Sequence, residues 1–143
     1  MTVKSILSSK GRDVVTIDPN ATLESAIALL ATRRIGALVV LGPERRVIGI
    51  LSERDVVRAL AENGAAALGA PLGQAMTRKV SICCEQDTVC AIMEQMTAGK
   101  FRHIPVLEQD QLIGIVSIGD VVKARLGELE YEQDALREYI RTA

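Results

Sequence analysis

Aromatic residues are scarce in this chain. Trp is absent, Phe occurs once, Tyr twice and His once among 143 residues. So few rings offer no platform on which nucleic-acid bases could stack. With a formal net charge of −1, the chain also does not have the excess of positive charge from which a nucleic-acid-binding surface is built. Nucleic-acid binding is therefore disfavoured.

Cysteines and long apolar runs are equally limited. The three cysteines, Cys83, Cys84 and Cys90, are odd in number and crowded, which is not a disulfide framework and favours a reducing cytoplasm. Without Cys-x-x-Cys spacing they fit buried thiols better than a metal site, and a redox role is the minor alternative. No apolar run approaches the roughly 18 residues that span a bilayer, and residues 1–13 lack the apolar core of a secretory signal. We expect a cytoplasmic protein with no metal and no membrane segment.

An internal repeat dominates what is present. Residues 47–57 recur as residues 112–122 at a constant offset of 65, and residues 38–41 match residues 104–107 at 66. Such a period suits two small similar domains, and each alone would bury only about 60% of its unfolded surface. We therefore predict halves that share an interface. The predicted boundaries are 1–66 for the first domain with its N-terminal segment, 67–126 for the second, and 127–143 for a C-terminal helix.

The periodicity predicts the same element order in both copies. In the first, a strand ends at Ile17, Thr22 caps a helix, two strands follow over 35–41 and 47–51, and Ser52 opens a second helix. Each copy is thus predicted to be β-α-β-β-α, an α+β fold. The stretch 62–71, rich in Gly and Ala, is predicted to be the linker.

The tail has helical spacing. Leu126, Leu129, Gln133, Leu136 and Ile140 follow a 3-4-3-4 pattern, which predicts an amphipathic helix. We expect it to cover its own domain or a second subunit. Two heptads are too few to predict a coiled coil.

Three motifs carry a family resemblance: Gly-Ile-Leu-Ser-Glu-Arg-Asp at Gly49–Asp55, Gly-Ile-Val-Ser-Ile-Gly-Asp at Gly114–Asp120, and Phe-Arg-His-Ile-Pro-Val at Phe101–Val106. Over residues 3–126 the chain resembles a tandem pair of CBS domains, the Bateman module. The resemblance implies pseudo-twofold packing with two clefts and a disc-like homodimer of pairs. It also implies an adenosine-containing ligand: AMP, ADP, ATP, NAD(H) or S-adenosylmethionine. Because no effector domain is attached, we expect the stand-alone bacterial type, which signals to a separate, unknown effector protein.

The Ser-x-x-Asp motifs at Ser52–Asp55 and Ser117–Asp120 have two interpretations. The plain one is a helix-capping box. The functional one is ribose binding, because a carboxylate at the helix mouth can accept bonds from a sugar diol. Both roles can hold together, and a phosphate beside the same Asp would be repelled.

The phosphate needs cations, which the second copy supplies as Lys100, Arg102 and His103. Arg is the favoured bidentate partner of phosphate, although a solvated surface charge is the plain alternative. The first copy has Gly36-Ala37 where Arg102-His103 stand, so Arg34, just after Arg33, and Arg54 are its remaining candidates. We expect the first copy to be the poorer phosphate site. From the resemblance alone, the base candidates are Thr16, Ile17, Ser81 and Ile82.

Two functions from different classes follow. The first is a regulatory, non-catalytic adenine-nucleotide sensor acting in energy sensing. The alternative is a ligand-free structural or assembly subunit that dimerises through its helices. An enzyme is disfavoured, because a single His cannot build a Ser-His-Asp triad in both halves and no other catalytic group is evident.

Overall fold

A computed structural model of the protein describes residues 1–142. The helices are α1 (Val3–Lys10), α2 (Leu23–Arg33), α3 (Glu53–Asn63), α4 (Val89–Gly99) and α5 (Ile118–Thr142). The strands are β1 (Thr16–Ile17), β2 (Ala37–Leu41), β3 (Val47–Ser52), β4 (His103–Glu108) and β5 (Gln111–Ser117). This mixture confirms the predicted α+β class.

The two copies differ in the length of their first strand. In the first copy, β1 runs parallel to β2, which pairs antiparallel with β3. In the second copy, β4 and β5 pair across a turn at Gln109 and Asp110, both with positive φ as in a type I′ hairpin. The predicted first strand of the second copy is reduced to a single parallel bridge between Cys83 and Val106.

That bridge changes the alignment of the repeat by one residue. Ile17 pairs with Val40, and Cys83 pairs with Val106, so both partners lie 66 positions further along the chain. The structural counterpart of Ile17 is therefore Cys83. The offset of 65 that aligns residues 47–57 with residues 112–122 would instead match Ile17 with Ile82.

Caps fix the ends of the helices. Thr22 accepts from the amide of Ser25 (3.2 Å) to begin α2, and Thr88 accepts from the amide of Ala91 (3.1 Å) to begin α4. Each helix ends in a left-handed residue, Arg34 with φ 53° and Lys100 with φ 58°, a conformation that usually favours glycine. Two predicted phosphate-binding residues thus occupy equivalent, conformationally costly C-caps.

The N-terminal helix packs against the second copy. Thr2 forms a bridge with Thr88, and the Val89 amide donates to the Met1 carbonyl (3.0 Å). A Cβ added to Gly114 of β5 would lie 2.7 Å from a Leu7 methyl carbon. Gly114 is therefore needed for the close approach of α1.

The segment that precedes the second copy packs against the first in the same way. Thr22 forms a bridge with Pro71, and the Leu23 amide donates to the Ala70 carbonyl (3.0 Å). A Cβ added to Gly49 of β3 would lie 2.6 Å from the Met76 sulfur. The predicted linker is thus part of the first copy's fold, and Ala67 within it is buried.

The chain accordingly divides into two compact units. One comprises residues 1–12, 82–108 and 114–143, and the other comprises residues 13–81 and 109–113. The unit that contains the first copy has a core of buried residues from α2, β2, β3, α3 and the segment ahead of the second copy: Leu23, Ala26, Leu30, Leu38, Val40, Leu51, Val56, Ala59, Ala67, Leu72 and Met76.

The C-terminal tail is the continuation of the second copy's last helix. α5 runs without a break for 25 residues, and its side chains are exposed from Leu129 to Thr142. The tail therefore does not cover its own domain, which was one of the two predicted roles. Within residues 1–142, neither α5 nor a shorter helix combines the length and apolar character needed to cross a membrane.

Candidate functional site

The second Ser-x-x-Asp motif forms a polar cluster at the start of α5. The Asp120 Oδ2 accepts from the Ser117 amide (2.8 Å), and the Asp120 amide donates to the Ser117 hydroxyl (3.2 Å). The plain capping interpretation is therefore correct in the second copy. The Asp120 side chain nevertheless remains 24% exposed, so a hydroxyl donor from a ligand has access to it.

Lys10 belongs to the same cluster, and sequence reasoning missed it. Its Nζ donates to Asp120 Oδ2 (2.7 Å) and to the Ile115 carbonyl (2.9 Å). Lys10 lies 110 residues from Asp120 along the chain, at the end of α1, so no local pattern links the two. Only the packing of α1 against the second copy brings this cation to the carboxylate.

The Lys10 contact controls the ionisation of Asp120. Burial opposes the charged carboxylate, but the Lys10 hydrogen bond and charge and the Ser117 amide and hydroxyl outweigh it, so the pKa of Asp120 lies below its ordinary 3.8. Because the folded-state pKa is depressed, ionised Asp120 stabilises the fold above pH 3.8. That stabilisation is lost as the pH falls through the lower, folded-state value.

We expect Lys10→Met to raise the pKa of Asp120, because the substitution removes both the Lys10 hydrogen bond and its charge. The stability that ionised Asp120 contributes above pH 3.8 should shrink as well, because the difference between its folded and unfolded pKa becomes smaller. An NMR titration of the Asp120 carboxyl carbon measures the shift directly. Lys4→Met, an exposed lysine of the same helix, is the matched control. An unchanged Asp120 midpoint in Lys10→Met would contradict the assignment.

The first Ser-x-x-Asp motif is a closed network. Asp55 Oδ2 accepts from the Ser52 amide (2.9 Å) and the Ser52 hydroxyl (3.2 Å). Asp55 Oδ1 accepts from Arg58 (2.9 Å) and from the Thr77 hydroxyl (3.0 Å). Asp55 is only 2% exposed, so its carboxylate is already saturated and shielded from solvent. In this conformation the motif holds the Thr77 segment against the first copy.

The second-copy phosphate candidates lie at the base of β4. Lys100 is the C-cap of α4, Arg102 is exposed just before β4, and His103 is the first residue of β4. The Ile118 amide donates to the Arg102 carbonyl (2.8 Å), which joins this segment to the first turn of α5. The backbone thus places Arg102 and the Ser117–Asp120 cluster at the same junction.

The first copy has the same junction without the cation. The Glu53 amide donates to the Gly36 carbonyl (3.0 Å), which is the equivalent hydrogen bond. Gly36 stands where Arg102 stands in the second copy. Arg34 lies upstream at the C-cap of α2, and Arg54 lies on the exposed first turn of α3. The two copies are alike in backbone and different in charge.

Each junction opens onto a groove. In the second copy, a groove of about 770 Å³ is lined by Arg102 and by α5 residues that include Val122, Leu126 and Glu130. In the first copy, a groove of about 670 Å³ is lined by Arg34 and by residues of α2 and α3. Arg102 lines its groove together with Gly119 and apolar side chains of α5. Asp120 and Ser117 are not among the residues that line this groove, and the Asp120 carboxylate instead contacts Lys10 of α1.

The base candidates fall in two environments. Thr16 and Ile17 form β1 and are half-buried. Ser81 and Ile82 precede the Cys83 bridge and are exposed, Ile82 by 50%. The register shift makes Ile82 the counterpart of Thr16, so the equivalent backbone positions in the second copy are Ile82 and Cys83.

The cysteines are free thiols in three different environments. Cys83 is buried, Cys84 is half-buried and Cys90 is exposed. Burial, followed by the negative charge of Asp87 and the nearby Cys84, raises the pKa of Cys83 to about 12, so this thiol is protonated and unreactive at neutral pH. Within residues 1–142, no group of three or more His, Cys, Asp or Glu side chains is placed to hold a metal ion.

Comparison with known proteins agrees with this architecture. The family model of the CBS domain matches residues 3–62 and 72–127. A mitochondrial CBS domain-containing protein of Arabidopsis thaliana is 32% identical over 148 residues, covering 98% of this chain and 72% of its own length.

Two solved structures have the same fold. A CBS-domain containing protein from Agrobacterium tumefaciens superposes with a TM-score of 0.85 at 48% identity, over 87% of this chain and 99% of its own. A CBS domain protein from Pyrobaculum aerophilum, solved in complex with AMP, superposes with a TM-score of 0.74 at 26% identity, over 84% of this chain and 89% of its own. The chain belongs to the CBS domain family and contains two CBS domains in tandem.

Proposed function

We propose that this protein is a non-catalytic regulatory module that binds AMP or a related adenosyl compound through its second CBS domain. Asp120 and Ser117 would hold the ribose, and Arg102 and His103, with Lys100 nearby, would hold the phosphate. The family membership supports the ligand class, because a relative with the same fold was solved with AMP.

One observation carries the choice of the second copy. Asp120 is 24% exposed and paired with Lys10, whereas Asp55 is 2% exposed with both oxygens already occupied. Arg102 lies at the same junction as Asp120, while the first copy has Gly36 in its place. The second copy therefore offers an acid for the sugar and a cation for the phosphate. In the first copy, the Asp55 carboxylate instead binds Ser52, Arg58 and Thr77 and stabilises the fold of its own domain.

The remaining parts of this proposal concern assembly and signalling. We infer that CBS pairs associate as a homodimer and that ligand binding shifts the population of two conformations, limited by the ligand's differential affinity for them. An effector protein would respond to that shift. A ligand-free assembly subunit is the second candidate, and the exposed apolar face of α5 is the observation that favours it.

We expect AMP to raise the melting temperature of the protein. A ligand present at 100 times its dissociation constant stabilises the folded state by about 2.7 kcal/mol. Isothermal titration calorimetry should give one strong site per chain. Parallel titrations with ATP, NADH and S-adenosylmethionine identify the preferred adenosyl compound.

Variants of the second copy test the site itself. Arg102→Ala and Asp120→Asn should each weaken AMP binding by about tenfold or more, because each leaves a charged or polar group of the ligand without its partner. Arg46→Ala, an exposed arginine of the β2–β3 turn, is the matched control and should bind normally. If no adenosyl compound binds, or if Arg102→Ala binds like the parent protein, the proposal fails and the assembly function is preferred.

A further inference from the structure

An apolar stripe runs along the exposed side of α5, and only its first two members, Val122 and Leu126, also line the groove of Arg102. It consists of residues spaced alternately four and three apart: Val122, Leu126, Leu129, Gln133, Leu136 and Ile140. Its apolar members are between 44% and 65% exposed. A stripe of five large apolar side chains on one helix face marks a surface that another chain covers.

The continuity of α5 lengthens this stripe beyond what the tail alone contains. The stripe spans 19 residues, or about 28 Å of helix, which is close to three heptads. Val122 lies in the part of the helix that belongs to the second CBS domain. A regular alternation of four and three residues is the pattern of a two-stranded coiled coil, with Leu126, Gln133 and Ile140 in one core position and Val122, Leu129 and Leu136 in the other.

The charges that flank the stripe identify the covering chain. On one side, the flanking positions are Lys123, Glu130 and Arg137; on the other, they are Arg125, Glu132 and Tyr139. In a parallel pair of identical helices, each residue of the second side faces the residue five positions later on its partner. Glu132 then faces Arg137 of the partner subunit, and Arg125 faces Glu130 of the partner subunit. Both contacts join opposite charges.

An antiparallel pair would bring each flank against itself. Glu132 would approach its own counterpart, and Lys123 would approach Arg137, so like charges would meet. The sequence of the flanks is therefore complementary to a second copy of this helix in the parallel orientation. Gln133, the polar residue in the middle of the stripe, would fix the register, because a polar core residue tolerates only its own kind across the interface.

Arg137 and Arg125 already form ion pairs within α5, and these pairs compete only weakly with contacts to a partner helix. Arg137 lies 4.0 Å from Asp134 in an exposed pair, with side chains 67% and 77% exposed. Such surface pairs contribute little and exchange readily. Arg125 donates to Glu128 at 3.2 Å, and both side chains are partly buried against their own domain. The Glu132–Arg137 contact is thus the stronger of the two.

We propose that α5 pairs in parallel and in register with α5 of a second copy of this chain, through the stripe from Val122 to Ile140. This inference does not rest on the ligand proposal, although Val122 and Leu126 also line the groove of Arg102. It assigns the exposed helix to self-association, and it fixes the orientation of the two chains at their C-terminal ends.

Single-cysteine cross-linking tests the orientation and the register. In a Cys90→Ser background, Gln133→Cys and Ile140→Cys should each give disulfide-linked dimers under mild oxidation. A parallel in-register pair brings every such residue next to itself, whereas an antiparallel pair can do so at one position at most. Tyr131→Cys is the matched control, because Tyr131 lies on the outer face of the helix and is 78% exposed. Cross-linking at residue 131 equal to that at 133, or at only one of 133 and 140, would overturn the proposal.

Charge reversal tests the flanking contacts. Glu132→Arg and Arg137→Glu should each weaken association by about tenfold in sedimentation or cross-linking assays, because each creates two like-charge contacts. The double variant should recover the parent level, since it restores both contacts with inverted sign. Glu138→Arg, on the outer face, should have no effect. A double variant no better than the single ones would show that another partner covers the stripe.

Discussion

Replacing Asp55 by alanine is expected to lower the free energy of unfolding by about 3 kcal/mol. Asp55 is 2% exposed, and its carboxylate accepts four hydrogen bonds, from Ser52 twice, Arg58 and Thr77. The substitution leaves these donors without their acceptor and removes the cap of α3. It also releases the Thr77 segment, which Asp55 ties to the first copy.

The equivalent change in the second copy is the natural control. Asp120→Ala removes a helix-capping side chain that is 24% exposed. We therefore expect the free energy of unfolding to fall by about 1 kcal/mol. Chemical denaturation of both variants, at neutral pH and without ligand, measures the difference. Equal costs for the two variants would mean that the two motifs have the same role, contrary to the division between a structural Asp55 and a ligand-binding Asp120.

Leu7→Ala is expected to destabilise the second copy, although residue 7 precedes the first copy in the chain. Leu7 is 1% exposed and packs where Gly114 lacks a side chain. Removing a buried leucine side chain costs about 3 kcal/mol when the cavity cannot collapse. Amide hydrogen exchange should show lost protection in α4 and β4, with β2 and β3 less affected.

Met76→Ala is the mirror experiment, because Met76 packs against Gly49 of β3. Met76 is 7% exposed, and its loss should expose the amides of β2 and β3 rather than those of β4. Together the two variants map which segment stabilises which copy. Loss of protection confined to the first copy in Leu7→Ala would contradict the observed packing.

The site was predictable in part from the repeat. The Ser-x-x-Asp caps at Ser52–Asp55 and Ser117–Asp120 are local features, because the side chain and the amide it receives are three residues apart. The sequence motifs therefore located both helix starts. They could not distinguish the buried Asp55 from the accessible Asp120, because the difference depends on Thr77 and Lys10, which are 22 and 110 residues away.

The first strand of the second copy shows another limit. Residues 80–82 resemble residues 15–17, yet the observed bridge is at Cys83. Pairing with β4 sets the register, and a shift of one residue reverses which side chains face the core. Cys83 is buried and Ile82 is exposed as a result. The base candidates Ser81 and Ile82 remain predictions, and in the observed register the positions equivalent to Thr16 and Ile17 are Ile82 and Cys83.

The amino-acid sequence by itself determined the duplication, the α+β class, the capped helix starts and the difference in charge between the two copies. These depend on periodicity and on interactions between residues a few positions apart. Tertiary structure alone decided that the segment ahead of each copy packs against the other one, that Lys10 reaches Asp120, and that α5 leaves its apolar stripe exposed. Each of these depends on contacts between distant residues, whose formation reflects how the whole chain buries its apolar surface rather than any local pattern.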